Sequence, residues 1–230
     1  MIDSPPEPPS EPGHRPGPAW RRIFAGLWSR RLAQPSTTRR WVVCDVETSG
    51  LDAGRDALLA IGAVAVRDAR LSPGDSFEAR IRPERLADRE NILIHRIGEQ
   101  AQRTGQPAGQ ALAAFAAYVG DDPLVAFHAD FDRGFLRRAC RAAGVAMPPG
   151  RWLDLAELAP ALLGGPTQGG LDDWLARCRI GVEERHDAIS DALATAMLFQ
   201  MLLAKVPAAQ RHPAALARRC REARWLSRSA

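Results

Sequence analysis

Apolar and polar positions follow two different periods along this chain, and the change from one to the other outlines its architecture. In WVVCDVETSG (41–50), four apolar residues, Trp41, Val42, Val43 and Cys44, lead into Asp45, Val46 and Glu47. Thr48, Ser49 and Gly50 then turn the chain. A strand over 41–47 is predicted. LLAIGAVAV (58–66) is apolar throughout, as a central strand buried on both faces requires. DSFEARIRP (75–83) sets Phe77, Ala79 and Ile81 on one face and Glu78, Arg80 and Arg82 on the other, the pattern of a half-exposed edge strand. Pro73-Gly74 is read as the turn before it, which makes these early strands antiparallel neighbours. From residue 107 onward, helical periodicity predicts helices over 107–119, 132–143, 155–162, 170–178 and 187–205. Short apolar strands at 124–127 and 152–155 fall between them. Five strands with alternating helices make an α/β protein, a mixed sheet flanked by helices.

Composition changes this picture at the ends of the chain. Residues 1–19 are rich in Pro, Glu and Ser and are expected to be a disordered tail. In AWRRIFAGLWSRRL (20–33), Trp20, Ile23, Phe24, Leu27 and Trp28 recur at helical spacing between arginines, a basic amphipathic helix joined by a linker to a body starting at residue 40. Residues 207–230 form a second basic amphipathic helix after a body ending at 206. Residues 1–40 hold 7 Arg against 3 acids and residues 207–230 hold 6 Arg against 1, whereas 41–206 holds 18 basic and 23 acidic residues. An acidic body suits cations, and the basic arms suit nucleic acid, an anionic membrane surface or the protein's own body. With 46% hydrophobic and 25% charged residues the chain is of ordinary globular composition, and it contains no run of eighteen apolar residues. The N-terminus lacks the pattern of a signal peptide. Cys44, Cys140, Cys178 and Cys220 are too scattered for a zinc site or a disulfide framework. Reduced cysteines and a cytoplasmic location are expected.

The candidate chemistry begins at Asp45 and Glu47. On a strand the two project from one face, a pleat apart, and carboxylates that close repel unless a cation, typically divalent, lies between them. Alone, Asp-x-Glu arises by chance about once in a chain of this size. Three further stretches answer it. In VAFHADFDRGFL (125–136), Asp130 and Asp132 stand where a strand gives way to a helix, and capping alone accounts for one of them. In RHDAISDALATAM (185–197), His186 sits at a helix mouth and Asp191 lies one turn in. In NILIHRIG (91–98), His95 stands among apolar residues, placed to press on a flat ligand. Asp154, Asp172 and Asp173 are read as helix starts.

Taken together and in order, DVETSG, IHRI, HADFDRGFL, LDLAELA and HDAISDA resemble the motifs of the DEDDh, or DnaQ-like, 3′–5′ exonucleases over about residues 40–205. The resemblance implies an RNase H-like exonuclease fold with a mixed five-stranded sheet flanked by helices. It makes Asp45, Glu47, Asp132 and Asp191 the metal-binding acids and His186 the general base. Asp132 is preferred to Asp130 because it follows Phe131. Thr48, Ser49, Leu51, His95 and His128 become contacts to the terminal nucleotide or to its loop. His128 stands where the family commonly has Asn, and Arg96 where it commonly has Gly.

The residue types suit that chemistry. In-line hydrolysis of a phosphodiester needs an activated water and a stabilised leaving 3′-oxygen, and two Mg²⁺ or Mn²⁺ ions roughly 4 Å apart supply both. Such hard cations take oxygen ligands, and imidazole is suited to receive the proton of the water at neutral pH. The implied activity is removal of nucleoside 5′-monophosphates from the 3′ end of DNA, single-stranded or frayed. An exoribonuclease or oligonucleotide-degrading enzyme of the same fold is the alternative, and a binding module without catalysis is a second. A polymerase partner is compatible with the resemblance, although no polymerase domain is visible in the chain.

Overall fold

A computed structural model describes residues 40–83, 105–166, 168–182 and 185–228. The proposed tail (1–19), the amphipathic helix (20–33) and the loop carrying His95 and Arg96 lie outside the described residues. Five strands, β1 (Arg40–Thr48), β2 (Leu58–Arg67), β3 (Arg70–Arg80), β4 (Leu124–Ala126) and β5 (Trp152–Asp154), form one mixed sheet in the order β3-β2-β1-β4-β5. The β1–β2 and β2–β3 pairs are antiparallel, and β4 and β5 run parallel to β1. The described helices are α1 (Ala108–Val119), α2 (Ala129–Ala143), α3 (Leu155–Leu163), α4 (Leu171–Cys178), α5 (Ala188–Ala204) and α6 (Pro213–Arg228). None of them is long and apolar enough to cross a membrane.

The pleat of β1 sorts the core into two layers. Trp41 and Val43 face α3, α4, α5 and α6 together with Val64, Val125 and Leu153. Val42, Cys44 and Val46 face α1 and α2 with Ile61, Phe115 and Leu136. Alternation then carries Asp45 and Glu47 onto the same face as Trp41 and Val43, the α5 side. Trp41 meets Phe199 of α5 edge-on at a centroid distance of 5.2 Å, tying this helix to the strand.

Two early expectations are corrected. The turn from β2 to β3 is made by Asp68 and Ala69, both at positive φ (50° and 62°), the twist that a two-residue hairpin requires. Pro73-Gly74 lies inside β3, where the pairing shifts register between Val64 and Ala65. An edge strand tolerates proline at such a bulge because no ladder N–H is lost there. Helix α2 begins at Ala129 rather than 132, so Asp130 and Asp132 both belong to its first turn.

The bulge also places Asp75. Its carboxylate takes a two-pronged bond from the buried Arg40, with Nε at 2.9 Å and Nη2 at 3.0 Å, and a third from Nη2 of Arg67 at 2.6 Å. Arg40 also reaches Asp122 at 2.6 Å and stacks on Tyr118. Arg40, counted with the basic N-terminal arm on charge alone, is therefore a structural member of the body. Burial would raise the Asp75 pKa, but the bonds from Arg40 and Arg67 outweigh it and hold the carboxyl below its ordinary value. Stability from a depressed carboxylate is present above its unfolded-state pKa and lost as pH falls through the folded-state value. Asp75→Asn is expected to cost about 1–3 kcal/mol at pH 7, and the deficit against the parent should shrink below about pH 4. Urea unfolding at both pH values measures this.

One face of the C-terminal arm packs on the body. Ala215, Leu216 and Cys220 are buried against the body, with α6 packed on α3. Arg218 and Arg221 remain on the outer side.

Candidate active site

The end of β1 is pinned from three sides. Asp45 pairs with Gly62 of β2 and Glu47 with Ala60, and the register slips immediately after Glu47. Thr48 Oγ donates to the Gly50 carbonyl at 2.6 Å. The Ser49 N–H donates to the Ala57 carbonyl at 2.8 Å, and Ser49 Oγ accepts from the Ala57 N–H at the same distance. The Thr48 and Ser49 side chains are thus occupied in closing the turn. Arg138 of α2 donates to the carbonyls of Ala53 and Asp56 at 3.0 and 2.7 Å, holding the loop beyond. On that loop Leu51 is 85% exposed, a large apolar side chain held out in solvent.

Helix α5 brings the next group. Asp187 caps it by accepting from the Ser190 N–H at 3.3 Å. Just before the cap, His186 takes positive φ (66°), and its N–H donates to Asp191 Oδ2 at 3.2 Å. The His186 side chain itself is exposed. The approach of α5 to the sheet is unusually close. A Cβ on Gly62 would stand 2.1 Å from the Ala188 carbonyl oxygen, so only glycine lets the first turn of α5 lie on β2 beside Asp45. The result is that carboxylate oxygens of Asp45, Glu47 and Asp191 all lie within 4.8 Å of one another.

Asp132 arrives from the other layer. Its Oδ1 accepts from the Val46 N–H at 3.1 Å, between the two acids of β1, and the residue is 3% exposed. The Asp130 side chain is fully exposed. Asp132 stands outside the tight trio but near enough to raise the Asp45 pKa. His128 precedes α2 in the left-handed conformation (φ 60°), where Asn and His are both enriched, which accounts for either residue at this place. Asp154 caps α3 through the Ala156 N–H at 2.9 Å, as expected, and also accepts from the His128 N–H at 3.0 Å. That second bond, which braces the α2 start, has no local sequence signal.

Crowding among the acids shows in Asp45 and Asp132. Burial, then the charges of Asp132 and Glu47, push the Asp45 carboxyl well above its ordinary value. Burial does the same for Asp132, against the bonds it accepts from its own N–H and from Val46. Three hard oxygen donors that repel one another in a buried corner fit a divalent ion. Sequence reasoning overlooked one member of the site, Arg185, whose guanidinium bonds both Asp191 and Asp172.

The sheet order 3-2-1-4-5, with acids gathered at the end of its central strand, sets the frame for the comparisons with known proteins. The exonuclease family designated RNase_T matches residues 42–199, and the chain belongs to this family. Among its relatives, the PolC-type DNA polymerase III of Listeria monocytogenes is 31% identical over 163 residues, covering 71% of this chain and 11% of that one. The PolC-type DNA polymerase III of Thermotoga maritima is 29% identical over 172 residues, covering 74% and 12%. The chain therefore spans about a ninth of the length of these curated relatives. Among solved structures, Escherichia coli exonuclease I in complex with single-stranded DNA, in its zinc-bound form, superposes with a TM-score of 0.64 at 18% identity, over 74% of this chain and 41% of that one. The nuclease domain of 3′hExo, a DEDDh family member bound to rAMP, gives 0.64 at 17% identity over 74% and 94%. At such identities the structural likeness speaks for the fold.

Proposed function

We propose that this protein is a metal-dependent 3′–5′ exonuclease that removes nucleoside 5′-monophosphates from the 3′ end of single-stranded or frayed DNA in the cytoplasm. The observation that carries the reading is the trio of carboxylates brought within 4.8 Å from two separate elements, with Asp132 beside them. Asp45, Glu47, Asp132 and Asp191 would hold two divalent ions, Mg²⁺ or Mn²⁺, which when bound polarise the scissile phosphate and stabilise the leaving 3′-oxygen. The polymerase relatives and the single-stranded DNA held by a structural neighbour support DNA as substrate. Leu51, exposed on a loop that Arg138 braces, is assigned to abut the terminal base, and the backbone at Thr48 and Ser49 to flank it. His128 and His95 remain proposed contacts to the terminal nucleotide. Every acid and the histidine that hydrolysis needs are present, which disfavours a binding module without catalysis.

His186 is assigned the proton transfer. Its backbone N–H is bonded to Asp191, and its exposed imidazole is assigned to accept the proton of the attacking water at a ring nitrogen. His186→Ala is expected to reduce hydrolysis of a single-stranded oligonucleotide by about 10²–10⁴-fold. Mn²⁺ affinity, measured by calorimetry, should stay at the parent value because the N–H bond to Asp191 survives. Hydrolysis at the parent rate would remove the histidine from the mechanism.

A further inference from the structure

The acid trio already has a positive charge at its edge. Arg185 directs Nη1 at Oδ1 of Asp191 and Nε at Oδ1 of Asp172, the latter at 2.6 Å. The two partners differ in setting: the Asp191 side chain is 8% exposed and that of Asp172 is 70% exposed, with Arg185 between them at 23%. Asp191 Oδ2 accepts from the His186 N–H, and Oδ1, which Arg185 bonds, is the oxygen for which an incoming cation would compete with it. The charge of Arg185 also acts on Asp45, opposing the rise that burial and the neighbouring acids impose.

We propose that Arg185 is a tethered stand-in for the divalent ion, bonding Asp191 while the site is metal-free and withdrawing onto Asp172 when the ion binds. The inference rests on the reading of the trio as a metal site. Asp172 lies on α4, outside the trio, and its bond to Nε keeps the guanidinium within one side-chain rotation of Asp191. A cation so placed does two things at once. It neutralises part of the repulsion among Asp45, Glu47 and Asp191, which stabilises the metal-free fold. It also raises the concentration of divalent ion needed to load the site, because each ion must first displace it.

Arg185→Gln and Arg185→Lys test this with readouts that do not depend on turnover. Mn²⁺ affinity is measured by isothermal titration calorimetry, and thermal unfolding is followed in chelator and in saturating Mn²⁺. Removing the competitor should tighten Mn²⁺ binding by Arg185→Gln roughly tenfold. Its melting temperature in chelator should fall by about 2–4 °C, and the gap to the parent should close in saturating Mn²⁺. Arg185→Lys, which keeps the charge but lacks the planar fork that spans Asp191 and Asp172, should bind Mn²⁺ with intermediate affinity, and it carries the test should the glutamine variant not fold. Equal or weaker Mn²⁺ binding by the variants, or a stability gap that persists in Mn²⁺, would mean that Arg185 is a fixed brace and would overturn the inference. Absence of Mn²⁺ binding by the parent protein would overturn the metal-site reading along with it, so the two failures are distinguishable.

Discussion

Asp45→Asn is expected to lower the hydrolysis of single-stranded DNA by roughly 10³-fold while making the metal-free protein more stable. Both effects have one origin. Burial disfavours the Asp45 carboxylate, and Asp132 and Glu47 repel it, so its pKa stands well above the ordinary value. An acid whose folded-state pKa is raised contributes full stability below its unfolded-state pKa and loses it as pH rises through the folded-state value. In chelator the parent should therefore weaken as pH climbs through this range, and the asparagine variant should lack that decline. Each 1 kcal/mol of relief corresponds to a melting temperature higher by about 2–4 °C in a chain of this size. Scanning calorimetry in chelator, beside a rate measurement in Mn²⁺, checks the pair of outcomes. A variant that is both inactive and less stable would mark Asp45 as a structural residue.

Gly62→Ala should produce the second large effect without touching substrate. The added Cβ would meet the Ala188 carbonyl at 2.1 Å, an overlap with backbone that no rotamer can relieve. Helix α5 must lift from β2, and overpacking of this kind costs about 1–3 kcal/mol. The lift also carries His186 and Asp191 away from Asp45 and Glu47, and a misplacement of about 1 Å is enough for a loss near 10²-fold. Gly74→Ala is the control, since a Cβ there meets nothing within 4 Å. Parent-like hydrolysis by Gly62→Ala would show that the site does not depend on this contact.

The parts of the fold legible beforehand were those governed by local pattern. The apolar run into β1 predicts its strand, and alternation alone puts Asp45 and Glu47 on one face, where the structure has them facing α5. The helix mouth expected near Asp187 agrees with the observed cap, and of the two acids that open α2 Asp132 is buried and Asp130 exposed. Pro73-Gly74 misled because its turn preference is intrinsic, whereas its position in a bulge is decided by pairing with Val64 and Ala65. Asp68-Ala69 carries the real turn with weaker local chemistry than Asn-Gly or Asp-Gly would have. The stripe on α6 announces a helix with one apolar face, but amphipathicity does not say which surface covers it. Least legible were contacts between distant segments: the seat of Ala188 on Gly62, the bond from His128 to Asp154, and the reach of Arg185 to Asp172 and Asp191.

The central claim, directional hydrolysis from a 3′ end by a metal-dependent acid cluster, is tested most directly with a single-stranded DNA oligonucleotide labelled at its 5′ end. It is incubated with the full chain and Mn²⁺, sampled over time on a denaturing gel, and run beside a matched RNA and a chelator control. The account predicts a ladder of labelled products that shortens stepwise, release of nucleoside 5′-monophosphates, faster loss of DNA than of RNA, and no reaction in chelator. Early release of a labelled mononucleotide, cuts scattered through the strand, or degradation that survives the chelator would contradict it.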